Sequence, residues 1–290
     1  MAPAEPALSF DLVSDVQQLL AYHFMQNAFV AGALVAVLAG VNGYFVVLRG
    51  QTFAAHTLSQ VGFPGASGAI VAGVNPLAGL GLICAGSALG IAGLGRSKGR
   101  SRMVESAAIG SVQAFALALG YLFASFYRGS INGVTDVLFG TFLGITDAQV
   151  VELAVVTLAG LGLMAIIGRP LFFLSLDAEL AAARRVPVRT LSLLFLVFLG
   201  LAVASVTLIT GALLVFCLLV APAAAAQLLT SRPWHGVVLA VALGVAAVWV
   251  SLAIAYYSPF PIGFFVTTLG FGIYLCAWGV RWLERRRSSR

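Results

Sequence analysis

The stretch RGQTFAAHTLSQVGFPGASG, residues 49–68, joins the first long apolar segment of the chain to the second. Within it, His56 and Gln60 are four residues apart, so on a helix they share one face. Polar groups of this kind, placed between apolar segments at membrane depth, indicate a functional site. We therefore interpret this stretch as a membrane-spanning helix, with His56 and Gln60 as candidate ligands on a pathway through the bilayer.

The composition around this stretch is that of a membrane protein. The 290 residues are 61% hydrophobic and only 9% charged, whereas about a quarter of the residues in a soluble domain are charged. Apolar runs of about 20 residues recur, which predicts an all-α polytopic protein and argues against an outer-membrane β-barrel. We treat residues 1–290 as one transmembrane domain. Cys84, Cys217 and Cys276 lie in apolar runs without CxxC spacing, so we interpret them as packing residues.

The apolar runs predict about eight or nine transmembrane helices. Residues 190–229 are too long for one crossing, and Thr207, Thr210 and Gly211 suggest a break between two. Gly62, Pro64 and Gly65 are expected to interrupt the second helix. Pro222 is expected to kink or break a later one and, with the small residues beside it, to pack at the dimer or pathway wall. The predicted spans cover about 24–48, 53–74, a third ending near 94, 104–126, 150–167, two within 190–229, 237–256, and a last one ending before 281.

The distribution of positive charge predicts the orientation. Sixteen residues are Lys or Arg. If the chain crosses the membrane nine times and begins outside, all of these basic residues except Arg128 lie in inner loops or in the basic cytoplasmic tail 281–290. Basic residues prefer the cytoplasmic side of short loops. We therefore predict an external N-terminus and a cytoplasmic C-terminus.

The predicted inner loop 170–189 contains a short helix with recognisable ends. Asp177 is a plausible N-cap, Glu179 lies in the first turn, and Arg184 and Arg185 lie at the C-terminal end, all of which suit the helix dipole. Pro187 is expected to stop the helix. The residues alone leave two interpretations open, an interfacial segment or a docking element for another protein.

Five stretches, taken in order, resemble the permease subunit of the ATP-binding-cassette importers for zinc, manganese or iron(II). The first stretch resembles the family's segment with a basic end and a polar pair, and the second resembles its L-F-G-x-x-L segment. The third resembles its D-x-E-x-A helix. The fourth and fifth resemble its G-x-L-L-V and D-x-P-x-G segments. They are VLRGQTFAAHTLSQVGFPG (47–65), DVLFGTFLGITDAQV (136–150), DAELAAARRVPV (177–188), GALLVFCLLVAPAAAAQLLT (211–230) and PFPIGF (259–264).

The resemblance implies a type II importer-like permease in the bacterial cell membrane. It implies three partners: a second copy of the chain, a cytoplasmic ATP-binding subunit, and an external or periplasmic metal-binding protein. The helix at 177–188 would then be the coupling helix that docks on the ATPase through Asp177, Glu179, Arg184 and Arg185. No GxxxxGK[ST] motif occurs in the sequence, so we expect no enzyme activity here and ATP hydrolysis at the partner.

This sequence departs from the family at the polar pair. His56 stands where the family usually has Asp, and Gln60 where it usually has His; Arg185 replaces the coupling segment's usual Gly. Imidazole binds zinc, copper, iron and nickel well, whereas an amide oxygen is a weak, hard ligand that suits manganese or calcium. The pair has lost its carboxylate, so less of a dication's charge is neutralised. The identity of the transported metal is therefore left open.

Other polar residues receive simpler interpretations. Asn27 and Asn42 are predicted to form interhelical hydrogen bonds, and Asp136 and Asp147 to be surface carboxylates on the outer side that meet the binding protein. His23 and His235 lie near span ends, where a histidine is ordinary. Thr57 and Ser59 could assist the polar pair, although hydroxyls in membrane helices usually bond to their own backbone.

Several alternatives remain. His56 and Gln60 can be a structural hydrogen-bonding pair between helices. The chain can be an ion-coupled secondary transporter or a channel, although no acidic residue falls in the middle of a predicted span. The cargo can be a metal chelate or another small solute. An intramembrane protease is disfavoured because HExxH is missing and His56 lies only three residues from Ser59 on one helix.

Overall fold

The computed structural model describes residues 18–19, 21–94, 102–126 and 144–288, and these residues form helices and no strands. Arg128 and Asp136 lie outside the described residues, as does most of the stretch 136–150. Helix boundaries are α1 His23–Leu48, α2 Thr52–Val71, α3 Pro76–Leu94, α4 Arg102–Phe126, α5 Asp147–Leu176, α6 Ala178–Ala183, α7 Val188–Thr210, α8 Ala212–Leu229, α9 Pro233–Tyr256 and α10 Ile262–Ser288.

Each predicted span has a long helix at its position. Among the described residues, six helices are long and apolar enough to cross a membrane (α1, α4, α5, α7, α9 and α10), and parts of α3 and α8 are shorter apolar helices. α2 belongs to neither group, but its neighbours bury most of its residues. Large apolar side chains point away from the bundle on α5, where Ile166 is 76% exposed. Such a surface suits lipid.

The break predicted between the two helices of 190–229 is confirmed. α7 ends at Thr210, and Gly211 adopts φ +80° before α8 begins. The hydroxyl groups of Thr207 and Thr210 donate to the carbonyl groups of Val203 and Val206 one turn earlier. A positive φ is readily available to glycine alone, so Gly211 sets the position of the turn.

Two predicted features of the helix boundaries are wrong. α2 continues through Pro64 and α8 continues through Pro222, so neither proline breaks its helix. α5 also runs through Pro170 to Leu176, which makes helical the first part of the loop predicted at 170–189. Proline is tolerated inside membrane helices because neighbouring helices and hydroxyl groups compensate for the lost hydrogen bond. In α2, Pro64 leaves the Gln60 carbonyl without its usual intrahelical donor, and the helix is held by its packing against α3 and α4.

α1 is the central helix, packed against α5, α8 and α9, while α2 packs against α3 and α4. α8 contacts both α1 and α2, which touch each other little. α1 and α8 approach each other closely at Gly43, since a Cβ atom at this position would overlap the Leu219 carbonyl oxygen. Glycine at helix crossings allows backbones to approach without side chains between them. α7 also packs against α3, α2 and α5, so α7 and α8 together join the group α1, α5 and α9 to the group α2, α3 and α4.

Candidate functional site

His56 lies in the second turn of α2 and faces α8. Its ring is half-buried and makes an edge-on contact with Phe216, with 4.5 Å between ring centroids. The Nδ1 atom is buried and has no hydrogen-bond partner among the described residues. A buried ring nitrogen without a partner is uncommon and calls for an explanation. It is a free donor or acceptor position in an apolar environment.

Gln60 lies one turn further along the same helix and is 7% exposed. Pro64 follows it by four residues and has no N–H group, so the Gln60 backbone carbonyl lacks its usual intrahelical donor. Gln60 therefore brings two oxygen atoms, one from its side chain and one from its backbone, to the same level of α2. The sequence already shows that His56, Gln60 and Pro64 are spaced by four residues. Only the continuous helix of the structure shows that Pro64 leaves the Gln60 carbonyl without a donor.

The two hydroxyl groups beside the pair are already engaged. Ser59 Oγ donates to the His56 carbonyl at 2.7 Å, and Thr57 Oγ1 donates to Gln113 Oε1 of α4 at 3.0 Å. Gln113 was not singled out from the sequence, because only the packing of α4 on α2 brings it to Thr57. Neither hydroxyl group donates a hydrogen bond to His56 Nδ1. The Thr57 bond instead ties α2 to α4, whereas the Ser59 bond stays within α2.

Glycine residues set the position of α2 against α3. A Cβ atom on Gly65 would lie 2.5 Å from the Gly79 carbonyl oxygen, and one on Gly62 would lie 3.3 Å from Cys84 Sγ. Cys84 Sγ in turn lies 3.4 Å from the Leu58 carbonyl oxygen. The residues predicted to interrupt the helix are therefore located at its closest helix contact. Pro222 occupies a similar place on α8, buried with its Cγ atom 3.8 Å from a Cβ atom built on Gly244 of α9.

The donor set of the pair is small. In the described part of the chain, no group of three or more His, Cys, Asp and Glu residues is placed to hold a metal ion. One nitrogen and the oxygens of Gln60 fall short of the closed four-ligand shell that marks a structural zinc site. Such a set fits an ion in transit better than a resident ion, because a transport site must release what it binds.

The short helix α6 has the N-cap predicted from the sequence. Asp177 Oδ1 accepts hydrogen bonds from the backbone N–H groups of Glu179 and Leu180, both at 2.9 Å, which confirms its role as the N-cap. Glu179 lies in the first turn and is exposed. Both carboxylates are therefore at the helix end where the dipole favours negative charge.

The C-terminal end of α6 confirms the predicted position of Arg184 and Arg185 but differs in the residue that stops the helix. The helix ends at Ala183, Arg184 is the C-cap, and Arg185 adopts a left-handed conformation with φ +60°. The Arg185 and Val186 N–H groups donate to the carbonyls of Ala182 and Ala181, which completes a Schellman motif. Arg185, not Pro187, therefore closes the helix, and it occupies a conformation that glycine adopts more easily.

At the N-terminal end of α1, two polar side chains of α1 contact a carboxylate at the start of α5. His23 Nε2 and Asn27 Nδ2 both donate to Asp147 Oδ1, at 2.9 Å and 2.6 Å. Asn27 therefore makes the predicted interhelical bond, whereas Asn42 bonds to the Leu38 carbonyl of its own helix, contrary to the prediction. The Asp147 side chain is 73% exposed, as expected for a surface carboxylate.

Comparison with known proteins places these features in a family. The sequence model of the ABC 3 transport family matches residues 21–281. The manganese transport system membrane protein MntC of Listeria innocua is 29% identical over 241 residues, which cover 83% of this chain and 85% of the relative. The chelated iron transport system membrane protein YfeC of Yersinia pestis is 26% identical over 256 residues, 88% of this chain and 86% of the relative. The solved structure of PsaBC from Streptococcus pneumoniae in complex with Fab superposes with a TM-score of 0.82 at 26% identity, covering 92% of this chain and 95% of that chain.

Proposed function

This chain belongs to the ABC 3 transport family, and from that premise we propose that it is the permease through which an ATP-driven importer moves a divalent transition metal into the cell. It is a multi-pass protein of the bacterial cell membrane. The proposal assigns ATP hydrolysis to a separate cytoplasmic subunit, delivery of the metal to an external binding protein, and a second copy of this chain to the other half of the transporter. The metal is cargo and not a resident cofactor.

The observation that carries the proposal is the unpartnered Nδ1 atom of His56. It lies on the same helix face as Gln60, which is buried and contributes oxygen donors. A structural histidine between helices would normally have both nitrogens hydrogen-bonded, because an unsatisfied buried polar atom costs about 1–3 kcal/mol. A passing metal ion supplies the missing partner. Its other ligands must come from water or from the second copy of the chain.

Manganese is the cargo we propose to test first. Two observations support it: the similarity to MntC, which is named as part of a manganese transport system, and the oxygen donors of Gln60. Oxygen ligands favour manganese over zinc, which prefers nitrogen and sulfur. The similarity to YfeC, named as a chelated iron transporter, supports a metal chelate as the second candidate.

We also propose that α6 docks on the ATP-binding subunit, with the N-terminus of the chain outside the cell and the C-terminus inside. Support comes from the exposed Asp177 and Glu179, from the exposed Arg184 and Arg185, and from the asymmetric distribution of basic residues. A short capped helix that projects between α5 and α7 offers charges of both signs to a partner. Charge complementarity of this kind fixes register and partner choice.

The test is uptake of radioactive manganese, zinc and iron(II) by bacteria that lack their own importers and carry this permease with its ATP-binding subunit and binding protein. We expect wild-type cells to take up manganese, and His56→Ala to raise the concentration for half-maximal uptake by about tenfold. His235→Ala, at an exposed histidine near the start of α9, is the matched control. His56→Asp, which restores the residue usual in the family, should keep uptake.

The remaining outcomes separate the alternatives. Uptake of a metal only when it is bound to a chelator would identify the chelate as the cargo. Uptake that persists after inactivation of the ATP-binding subunit would indicate a secondary transporter or channel. Normal uptake by His56→Ala at wild-type protein level would return His56 to a structural role and contradict the proposed pathway.

A further inference from the structure

Arg49 lies at the turn between α1 and α2, and that turn has little freedom to move. Gly50 adopts φ +64°, its N–H group donates to the Val47 carbonyl at 3.0 Å, and the Gln51 N–H group donates to the Val46 carbonyl at 2.9 Å. These two bonds form a complete Schellman motif. Gln51 is at once the last residue of this motif and the N-cap of α2. The end of α1 therefore fixes the start of α2.

The Arg49 side chain extends this fixed turn to a third helix. Its Nη2 atom donates to Ser192 Oγ of α7 at 2.8 Å, and its Nε atom donates to Gln51 Oε1 at 3.0 Å. The Phe195 ring lies against the guanidinium group, with 5.7 Å from Cζ to the ring centroid. Because the guanidinium group is planar and rigid, bonds made from two of its edges fix the relative positions of the groups they join.

Arg49 is held without a counter-charge. In the part of the chain that the structure describes, no carboxylate lies within ion-pair distance of it. Its side chain is half-buried, and this burial lowers the pKa of the guanidinium group. A cation kept among a hydroxyl group, an amide and an aromatic ring is costly to desolvate. A basic residue that only kept the surface charged or set the membrane orientation could point into water. The contacts of Arg49 therefore indicate a further role.

The Ser192 end of this contact is linked to α6 by a short, hydrogen-bonded connection. Four residues separate Ala183 from α7, and the Leu191 N–H group donates to the Pro187 carbonyl. Leu191 is buried, and Ser192 follows it. At the other end, His56 lies five residues beyond Gln51, about 7.5 Å along the helix at 1.5 Å per residue. Arg49 thus lies between α6 and the candidate metal ligand.

We propose that Arg49 is a positioning residue that ties the α2 helix, and with it His56 and Gln60, to the α6–α7 segment on which the ATP-binding subunit acts. The inference rests on the docking role proposed above for α6. Movement of α6 driven by the ATPase reaches α7 through the short connection, and the Arg49–Ser192 bond carries it to the start of α2. Without this bond only apolar packing links α2 to α7 at this end, so α2 follows α7 less closely and ATP is hydrolysed with less metal moved.

The test uses the complete transporter, reconstituted in vesicles with its ATP-binding subunit and the manganese-loaded binding protein. Manganese uptake and ATP hydrolysis are measured in the same vesicles, and the readout is the number of ions imported per ATP. We expect Arg49→Gln to lower this ratio about fivefold, the middle of the range for substitutions along a coupling route. Arg49→Lys and Ser192→Ala should give smaller losses, because each keeps part of the contact. Arg232→Gln, at an exposed arginine outside the contact, is the matched control.

The outcomes distinguish this inference from the proposed function. If wild type imports no manganese, the proposed function fails first. If wild type imports manganese and Glu179→Ala in α6 lowers the ratio, but Arg49→Gln leaves it unchanged, only the role of Arg49 is overturned. Should Arg49→Gln fail to assemble with the ATP-binding subunit, the ratios of Arg49→Lys and Ser192→Ala decide, and wild-type values in both would overturn the role.

Discussion

Replacing Gly65 by alanine tests the contact that holds α2 in place. A Cβ atom at Gly65 would lie 2.5 Å from the Gly79 carbonyl oxygen and 2.9 Å from both the Gly79 carbonyl carbon and Leu80 Cα. All three obstacles are backbone atoms, so no side-chain rotation removes them. Since comfortable contacts begin at about 3.5 Å, α2 and α3 must separate by about 1 Å.

The expected cost follows from two opposing terms. Overpacking a close contact costs about 1–3 kcal/mol, and the upper end applies where backbone meets backbone. Alanine is a better helix former than glycine by about 0.5–1 kcal/mol. The net effect of Gly65→Ala is then a loss of about 2 kcal/mol. Gly86→Ala on α3 and Gly162→Ala on α5 are matched controls, because nothing lies within 4 Å of a Cβ atom at either position.

Thermal unfolding of the purified permease in one detergent measures these effects. We expect Gly65→Ala to unfold several degrees below wild type, and the two controls to unfold at or slightly above it. Gly79→Ala acts at the same crossing, where a Cβ atom would overlap the Gly65 carbonyl oxygen. The double variant should therefore lose less stability than the sum of the single losses. A Gly65→Ala protein as stable as Gly86→Ala would refute the close approach of the two helices.

Two further predictions concern the ends of the bundle. Arg185→Gly should stabilise the protein by about 0.5–1 kcal/mol, because a left-handed conformation costs roughly 1–2 kcal/mol for a residue with a Cβ atom and glycine gives part of this back in entropy; a lower unfolding temperature than wild type would contradict the φ +60° conformation. Asp147→Cys, in a background without the three native cysteines, should react with a membrane-impermeant maleimide in intact cells, while Arg232→Cys should react only after permeabilisation. The reverse pattern would overturn the proposed orientation.

The helices could be predicted from the sequence because they depend on local composition. Apolar runs, the Gly211 break and the Asp177 N-cap each involve neighbouring residues, and each is present in the structure. The prolines were misread for a related reason. The effect of Pro64 depends on whether packing holds α2 together without the missing N–H bond, and α2 is held by its contacts with α3 and α4. No local pattern reveals them.

The polar contacts that organise the bundle could not be predicted from the sequence. Arg49 and Ser192 are 143 residues apart, and His23 and Asp147 are 124 apart. Each residue taken alone is an ordinary polar residue at the end of an apolar run. The contacts on which the proposed role of Arg49 rests depend on the approach of α7, and the unpartnered Nδ1 atom of His56 depends on the apolar ring of Phe216 beside it. The position of the candidate site along the chain can therefore be predicted from neighbouring residues, whereas the groups that surround it in the fold cannot.

The electrostatics of the site follow from where the carboxylates are. In the described helices, every acidic residue lies within two turns of a helix end. A dication bound at His56 and Gln60, as proposed, would be held by lone pairs and dipoles of neutral groups and by no opposing charge on α2. Burial of an ion in such surroundings is costly unless its coordination is nearly complete. At such a site the neutral pair would bind more weakly than a carboxylate–imidazole pair, and a weakly binding site releases its ion more readily. Retention of the metal would then depend on how tightly the surrounding helices enclose the site. The Gly65–Gly79 crossing and the Arg49 contact would provide that enclosure, since both fix the position of α2.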